Sequence, residues 1–135
     1  MISGKFAISL HILTLLTKFP NEYLSSDFIA SSLNLHPVLV RKEIVNLKNN
    51  QLVISKEGKN GGTMLAKSPS QITLDQVLKI TLEKVSFGYS KNAPNPNCSV
   101  GKKINTQLDM LYTTLNNQIS SQLKTMTLDQ FSNEF

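Results

Sequence analysis

The segment from Ser25 to Lys67 constrains the fold of this chain more than any other part. It contains, in order and without a gap, a short helix pattern, a tight polar break, a basic helix pattern and two β-prone runs joined by glycines. This order is typical of a winged helix-turn-helix, in which one helix lies in the DNA major groove and a hairpin contacts the backbone beside it. The sequence therefore predicts a mainly α-helical fold with a small β-hairpin wing.

The two helices of this segment have recognisable starting points. The first is predicted to begin near Ser26, because a short polar side chain can cap free backbone N–H groups. The second is predicted to begin at Pro37, because a proline at the first helical position loses no hydrogen bond. Three apolar residues at helical spacing predict the buried face of this second helix. They are Val40, Ile44 and Leu47.

The β-prone runs, residues 52–54 and 63–66, flank a loop that contains Gly58, Gly61 and Gly62. Glycine adopts positive φ at little cost, so this composition predicts a hairpin with a glycine-rich tip. Glycine runs also occur in phosphate-binding loops. The G-x-x-x-x-G-K-[ST] spacing is absent here, so the sequence excludes a nucleotide-binding loop of that type.

The basic charge of the chain is concentrated in its first half. Residues 1–67 contain eight Lys or Arg and four Asp or Glu, whereas residues 68–135 contain six and five. Basic surfaces attract phosphates, which favours nucleic acid as the partner, although lysines are also common on ordinary solvated surfaces. The candidate DNA-binding residues are Ser26, His36, Pro37, Val38, Arg41, Lys42, Lys48, Lys56, Lys59, Asn60 and Gly61.

The tetrapeptide Thr-Leu-Asp-Gln occurs twice, at residues 73–76 and 127–130. Each copy fits a capping box, in which the threonine and the glutamine exchange hydrogen bonds across the first helical turn. The two copies predict independent helix starts and not a domain repeat. The first opens a helix from Leu74 to about Glu83, and the second opens a short terminal helix with Leu128 and Phe131 facing inward.

A long amphipathic helix is predicted to begin at about Ser99. Its apolar residues recur at helical spacing over five turns; they are Ile104, Leu108, Leu111, Leu115, Ile119 and Leu123. The stripe must be buried, either against the chain's own domain or against the same helix of a second subunit, and a homodimer is the expectation. The predicted division is a winged helix-turn-helix domain (1–83), a Pro/Asn-rich sensor loop (84–98), and a dimerisation helix with a short terminal helix (99–135).

Cys98 is the one reactive side chain that invites a functional interpretation. A helix N-terminus lowers the pKa of a thiol, and the positive charges of Lys102 and Lys103 act in the same direction. Phe87 and Tyr89 are candidates to shield the thiol. One interpretation is a redox- or electrophile-sensing thiol, and the other is a buried cysteine that acts as a small apolar side chain.

Several protein classes are excluded by what the sequence lacks. One cysteine cannot form an internal disulfide, which predicts a cytoplasmic location. No apolar run approaches the roughly 18 residues of a membrane span, so no membrane partner is expected. The acids are scattered, and Cys98 shares no metal-binding spacing with His11 or His36, so we expect no enzyme, metal or cofactor. The alternatives are a dimeric protein-interaction module, a regulator controlled by a small ligand or partner protein, and a small thiol enzyme around Cys98.

The chain resembles the Rrf2 family of bacterial transcriptional regulators over nearly its whole length. The order and spacing of several short pieces carry the resemblance, and no one piece is decisive. They are Gly4-Lys5-Phe6-Ala7-Ile8, His36-Pro37-Val38 followed by Arg41-Lys42, Gly58-x-x-Gly61-Gly62, Ser68-Pro69 with Ile72-Thr73-Leu74, and Pro96-Asn97-Cys98-Ser99-Val100-Gly101. The resemblance implies a homodimeric, sequence-specific DNA-binding regulator or repressor that binds paired half-sites, with crossed long helices joining the subunits.

Two positions depart from the pattern that the resemblance implies. Cluster-binding members of the family carry three cysteines before the long helix, and only Cys98, which matches the last of them, is present here. The resemblance therefore predicts a regulator without an iron–sulfur cluster. Many members also have an arginine just before the first wing glycine, where this chain has Glu57. A carboxylate near phosphate is unfavourable, so we expect a weaker wing contact, which Lys56 and Lys59 can compensate.

Overall fold

The predicted winged helix-turn-helix and long C-terminal helix are both present in the computed structural model, which describes residues 4–82 and 86–135. The predicted helix end near Glu83 and the predicted boundary between residues 83 and 84 lie outside these described residues. The elements are α1 (Lys5–Lys18), α2 (Ser26–Leu33), α3 (Pro37–Asn49), β1 (Val53–Lys56), β2 (Gly62–Leu65), α4 (Leu74–Thr81), α5 (Ser99–Lys124) and α6 (Leu128–Ser132).

The helix-turn-helix consists of α2, a three-residue turn and α3. Ser25 caps α2, because its Oγ accepts a hydrogen bond from the Phe28 backbone N–H at 3.1 Å. Asn34 ends α2 in the left-handed region, with φ of 53°, which asparagine tolerates better than most residues. Pro37 is the first residue of α3. Both helix starts predicted from the sequence are confirmed.

The wing is an antiparallel hairpin, in which Val53 of β1 lies opposite Leu65 of β2. A third segment, not predicted from the sequence, joins it. The Leu24 N–H donates to the Thr63 carbonyl at 2.9 Å, and the Thr63 N–H donates to the Leu24 carbonyl at 2.8 Å. A Cβ at Gly62 would lie 2.3 Å from the Leu24 carbonyl oxygen. The φ angle of Gly62 is 149°. Both the close approach and the backbone conformation require glycine.

One hydrophobic core holds the N-terminal elements together. Its fully buried side chains include Ile12, Leu13, Leu16, Ile29, Val40, Leu47, Val53, Ile72 and Val77. Leu128 of α6 is fully buried in the same core, and Phe131 packs against it. The predicted division grouped α6 with the dimerisation segment (99–135), but α6 packs on α1. We call the unit formed by residues 4–82 and α6 the head.

The two Thr-Leu-Asp-Gln segments form the predicted capping boxes. In each, the threonine Oγ accepts from the glutamine backbone N–H and the glutamine Oε1 accepts from the threonine N–H. The two helix starts are not independent, because Thr73 and Thr127 lie opposite one another in an antiparallel bridge. The Leu74 N–H donates to the Met126 carbonyl at 2.9 Å. This pairing joins the start of α4 to the start of α6.

The helix α5 has 26 residues, of which Tyr112 alone is buried. The Tyr112 hydroxyl donates to the Gly88 carbonyl at 2.6 Å, and the rings of Phe87 and Tyr89 lie 6.0 and 5.6 Å from the Tyr112 ring. Residues 86–90 therefore cover one side of the helix. Near its C-terminal end, Leu123 packs against the head core. No helix in the described part of the chain is long and apolar enough to span a bilayer.

A buried carboxylate lies on α4, which packs against α5. Asp75 is 3% exposed, and its Oδ2 lies 3.0 Å from the Lys79 Nζ. Burial by itself raises the pKa of Asp75, but hydrogen bonds from Lys79 and Ser120, together with the charges of Lys79 and Lys124, outweigh it and lower the pKa below its ordinary value. Asp75 is thus an ionised group held between two helices.

Candidate nucleic-acid interface

The helix α3 has one buried face and one exposed face. Val40, Glu43, Ile44 and Leu47 are buried, as expected for a stripe with helical periodicity. The exposed face combines apolar side chains with basic ones; its members are Val38, Leu39, Arg41, Lys42, Val45, Lys48 and Asn49. This composition is suited to a major groove, because basic side chains can donate to acceptor atoms on the base edges and apolar side chains can contact thymine methyl groups.

Two residues of this exposed face were missed in the sequence analysis. Leu39 is 51% exposed and Val45 is 55% exposed. The signal that could have identified them is their periodicity, because neither lies on the Val40, Ile44 and Leu47 stripe. Val45 is one turn beyond Arg41, so an apolar side chain and a guanidinium lie side by side on the surface.

His36 has a structural role in addition to the predicted one. It is the N-cap of α3, and its Nδ1 accepts a hydrogen bond from the Val38 N–H at 3.2 Å. An Nδ1 that accepts carries no proton, so the hydrogen bond assigns the proton to Nε2. The exposed imidazole therefore presents an N–H donor at the N-terminal end of α3, beside Pro37, which is half-buried.

Arg41, a predicted interface residue, contacts two residues of the neighbouring helix. Its Nε donates to the Ser26 Oγ at 3.2 Å, and its Nη2 lies 3.9 Å from the Asp27 Oδ1. The sequence analysis placed Ser26 and Arg41 in the candidate interface, and the structure brings them together. It also adds Asp27, which no feature of a single helix could have indicated.

The wing presents its basic residues around a tip with positive backbone φ at Gly58 and Asn60. Lys59 and Asn60 are exposed at this tip. The Lys56 Nζ lies 5.8 Å from the centre of the Tyr23 ring, a cation–π distance that holds the ammonium near the third segment of the wing. A Cβ at Gly61 would lie 2.2 Å from the Lys56 carbonyl oxygen, so the tip requires glycine there.

Cys98 is exposed and is the N-cap of α5. The backbone N–H groups of Gly101 and Val100 lower the pKa of its thiol below the ordinary value, as expected at a helix N-terminus. The interpretation as a buried apolar cysteine was wrong. The predicted shield was also wrong, because Phe87 and Tyr89 pack on Tyr112, almost four turns further along α5.

The predicted dimer stripe divides into two parts along α5. Leu123 packs on the head of its own chain, and Leu108, Leu115 and Ile119 are half-buried. Ile104 and Leu111 are exposed, and Val100 and Met110 add further exposed apolar surface. Tyr112, which this chain's own segment covers, lies about 100° around the helix from Leu111. The N-terminal half of α5 thus presents uncovered apolar surface within one chain.

Comparison with known proteins places the chain among transcriptional regulators. It is 33% identical over 133 residues, 98% of both chains, to the "Putative HTH-type transcriptional regulator YwnA" of Bacillus subtilis (strain 168). Its fold is similar to that of CymR (YrzC), the global cysteine regulator of B. subtilis, with a TM-score of 0.74, 23% identity and coverage of 100% and 98% of the two chains. T. potens IscR is similar with a TM-score of 0.68, 21% identity and coverage of 99% and 87%.

The sequence model of the Rrf2 family, described as an iron-dependent transcriptional regulator, matches residues 2–134. The donor set of this chain does not fit an iron site of the thiolate type. Cys98 is its one cysteine, and residues 4–82 and 86–135 contain no group of three or more His, Cys, Asp or Glu that could hold a metal ion. The relatives are regulators and not enzymes, which excludes the interpretation as a thiol enzyme. Because the match covers nearly the whole sequence, the chain belongs to the Rrf2 family of transcriptional regulators.

Proposed function

We propose that this regulator is a homodimeric repressor that reads a specific DNA sequence with the exposed face of α3. The observation that carries the proposal is the segregation of α3 into a buried apolar face and an exposed face bearing Arg41, Lys42 and Lys48. Arg41 pairs with a guanine, the lysines neutralise phosphates, and Val38 and Val45 contact thymine methyl groups. Lys56 and Lys59 bring the wing onto the adjacent backbone.

The acidic residues near the proposed DNA-binding surface differ in how much they oppose this mode of binding. Glu43 is buried on the inner face of α3, and Asp27 lies beside the guanidinium of Arg41. Glu57 remains exposed near the wing tip, where a carboxylate weakens attraction to phosphate. We therefore expect α3 to contribute more to DNA affinity than the wing does.

The exposed apolar surface on α5 supports the homodimer. Ile104 and Leu111 project from the N-terminal half of a helix whose C-terminal end is anchored to the head through Leu123. Pairing this half with the same half of a second chain buries both stripes and holds two heads at a fixed separation. Two heads related by twofold symmetry bind two half-sites in inverted orientation. Occupation of such a site at a promoter blocks transcription.

Selection of binding sites from random DNA with the purified protein tests this proposal. We expect an enriched sequence with twofold symmetry. Arg41→Ala should cost about 1–3 kcal/mol of binding free energy and relax the preference at one position in each half-site. Lys59→Ala is the matched control, since removal of a phosphate contact weakens all sequences alike. Failure of the wild-type protein to enrich any sequence would favour a protein-interaction module on the same scaffold.

We further propose that oxidation of Cys98 modulates DNA binding. The support is its exposure and its lowered thiol pKa at the start of α5. Peroxide converts such a thiolate to a sulfenic acid and is itself reduced to water. The added bulk lies where residues 95–98 meet the helix that joins the two heads; a Cβ at Gly101 would lie 2.5 Å from the Asn95 oxygen, so this junction is tightly packed.

The test compares the DNA affinity of wild type and Cys98→Ser under reducing conditions and after mild peroxide treatment. We expect peroxide to lower the affinity of the wild type alone. Equal responses of the two proteins would remove Cys98 from the signal. Control by a small ligand is then the next hypothesis, because an apolar groove of about 410 Å³ lies between α1 and α6. Its lining includes Leu10, Leu15, Phe131 and Phe135.

A further inference from the structure

The single arginine of the chain is held by two residues from the first turn of the neighbouring helix. Arg41 belongs to α3, and both Ser26, whose Oγ accepts from Nε at 3.2 Å, and Asp27, whose Oδ1 lies 3.9 Å from Nη2, belong to α2. The side chains of Arg41 and Asp27 are 56% and 80% exposed. The cluster therefore lies at the surface, on the side of the motif where α3 is exposed.

This cluster is not what holds the two helices together. The cap of α2 is supplied by Ser25, and the contact between α2 and α3 is made by buried apolar side chains such as Ile29 and Val40. An exposed ion pair contributes little to folding stability, because water screens it. The main consequence of the contacts with Ser26 and Asp27 is therefore the orientation of the guanidinium.

The contacts leave the guanine-reading atoms of Arg41 available. A guanidinium has five N–H donors, and the Nε–H is used by Ser26. At 3.9 Å the Asp27 oxygen attracts Nη2 without forming a hydrogen bond to it. The Nη1 and Nη2 groups can therefore donate together to O6 and N7 of one guanine. The hydrogen bond from Nε to Ser26 and the charge of Asp27 beside Nη2 together favour one orientation of the Nη1 and Nη2 pair, which we call the arginine fork.

We propose that Asp27, acting with Ser26, is a positioning residue that determines the base preference of Arg41. The proposal rests on the DNA-reading function proposed above. It gives Asp27 two effects of opposite sign. Its negative charge repels the phosphates of every sequence, which lowers general affinity. Its attraction to the guanidinium favours the orientation that pairs with guanine, which raises discrimination between guanine and the other bases.

The experiment measures Asp27→Asn against wild type by competition among duplexes that carry each of the four bases at the position relaxed by Arg41→Ala. We expect Asp27→Asn to bind random DNA more tightly and to lose about two- to fivefold in its preference for guanine at that position. Glu57→Gln is the matched control, because it removes a carboxylate from the wing tip away from Arg41. It should raise affinity for all duplexes and keep the preference.

A second pair of variants tests whether Asp27 acts through the arginine fork. Arg41→Lys keeps the charge and removes the fork, so Asp27→Asn should change the base preference no further in that background. The inference is overturned if Asp27→Asn keeps the wild-type preference, even when its melting temperature falls, because Asp27 would then only stabilise the start of α2. It is also overturned if Arg41→Ala relaxes no position. Failure of the wild type to select any sequence would instead overturn the proposed function.

Discussion

The helices α3 and α5 differ in how each is stabilised within one chain. In 13 residues, α3 buries four side chains in the head, whereas α5 buries one in 26 residues. The helical conformation of α3 is therefore supported by tertiary packing in its own chain. A long helix in water gains most of its stability from burial of an apolar face. The side chains of α3 are therefore packed within a single chain, whereas much of the apolar surface of α5 is not.

Charged substitutions on the exposed stripe of α5 should have the largest effect. We expect Ile104→Glu/Leu111→Glu to be monomeric with a folded head, because two carboxylates cannot be buried at a helix–helix interface. Its affinity for a site with two half-sites should fall by about 10²–10⁴-fold, since the second head no longer binds at high effective concentration. Sedimentation velocity and fluorescence anisotropy measure the two effects.

The matched control is Thr106→Glu, which adds a carboxylate to α5 about 140° around the helix from Leu111. It should remain dimeric and bind DNA as wild type does. A double variant at Ile104 and Leu111 that still sediments as a dimer would show that another surface joins the subunits. These two positions are better probes than Leu108 and Leu115, which are half-buried within their own chain.

Leucine truncations in the two helices should separate folding from assembly. Leu47→Ala removes a fully buried side chain from the head core and should lower the free energy of unfolding by about 2–5 kcal/mol. Leu111→Ala removes a side chain that is 50% exposed in the chain and should leave the stability of the head unchanged while weakening the dimer. Urea denaturation, repeated over a range of protein concentrations, distinguishes the two. Equal losses of unfolding free energy in the two variants would contradict the contrast between α3, which is packed in the head, and the exposed part of α5.

The buried carboxylate of Asp75 on α4 should make stability depend on pH. The pKa of Asp75 is lowered by folding, so its contribution is present above the ordinary carboxyl pKa and is lost as pH falls through the folded value. Asp75→Asn should cost about 1–3 kcal/mol at pH 7. The difference in unfolding free energy between wild type and Asp75→Asn should stay constant down to about pH 5 and become smaller below about pH 4.

Asp129→Asn is the control for this measurement, because Asp129 is an exposed acid in the first turn of α6. Thermal melts of wild type and both variants from pH 7 to pH 3 give the comparison. Parallel curves for wild type and Asp75→Asn would mean that Asp75 is equally ionised in the folded and unfolded chains.

Removal of one capping threonine should have the smallest effect. Thr73→Ala deletes the side-chain cap of α4 and keeps the backbone bridge to Thr127. We expect a loss of about 0.5–2 kcal/mol, measured by chemical denaturation. Thr106→Ala, at an exposed position of α5, should lose less. A neutral result for Thr73→Ala would indicate that the backbone pairing alone fixes the start of α4.

The sequence predicted those features that depend on local chemistry. Pro37 and the Thr-Leu-Asp-Gln boxes marked helix starts, because capping depends on residues within one turn. Periodicity identified α3 and α5, and β-prone runs on either side of a glycine-rich loop identified the hairpin. The pairing of Leu24 with Thr63 was missed, because a one-residue strand has no periodicity. The inward orientation of Leu128 and Phe131 was predicted, but the packing of α6 on α1 was not, because long-range packing leaves no local signal.

The candidate interface was predicted less completely than the fold. Positions on α3 follow from helical geometry, so Arg41 and Lys42 could be assigned to its exposed side. Whether a side chain is engaged by a neighbouring helix depends on how the two helices cross, and the contact of Arg41 with Asp27 was therefore not foreseen. For the same reason, Phe87 and Tyr89 were placed beside Cys98 and not on Tyr112.

The stoichiometry and cooperativity of binding to a selected duplex test the central claim most directly. Sedimentation velocity with a labelled duplex should show two chains per duplex at saturation and no stable complex with one chain. Scrambling one half-site should lower the affinity by about 10²-fold or more. A complex of one chain per duplex, with an affinity that is unchanged when one half-site is scrambled, would contradict the account that α5 pairs two DNA-reading heads.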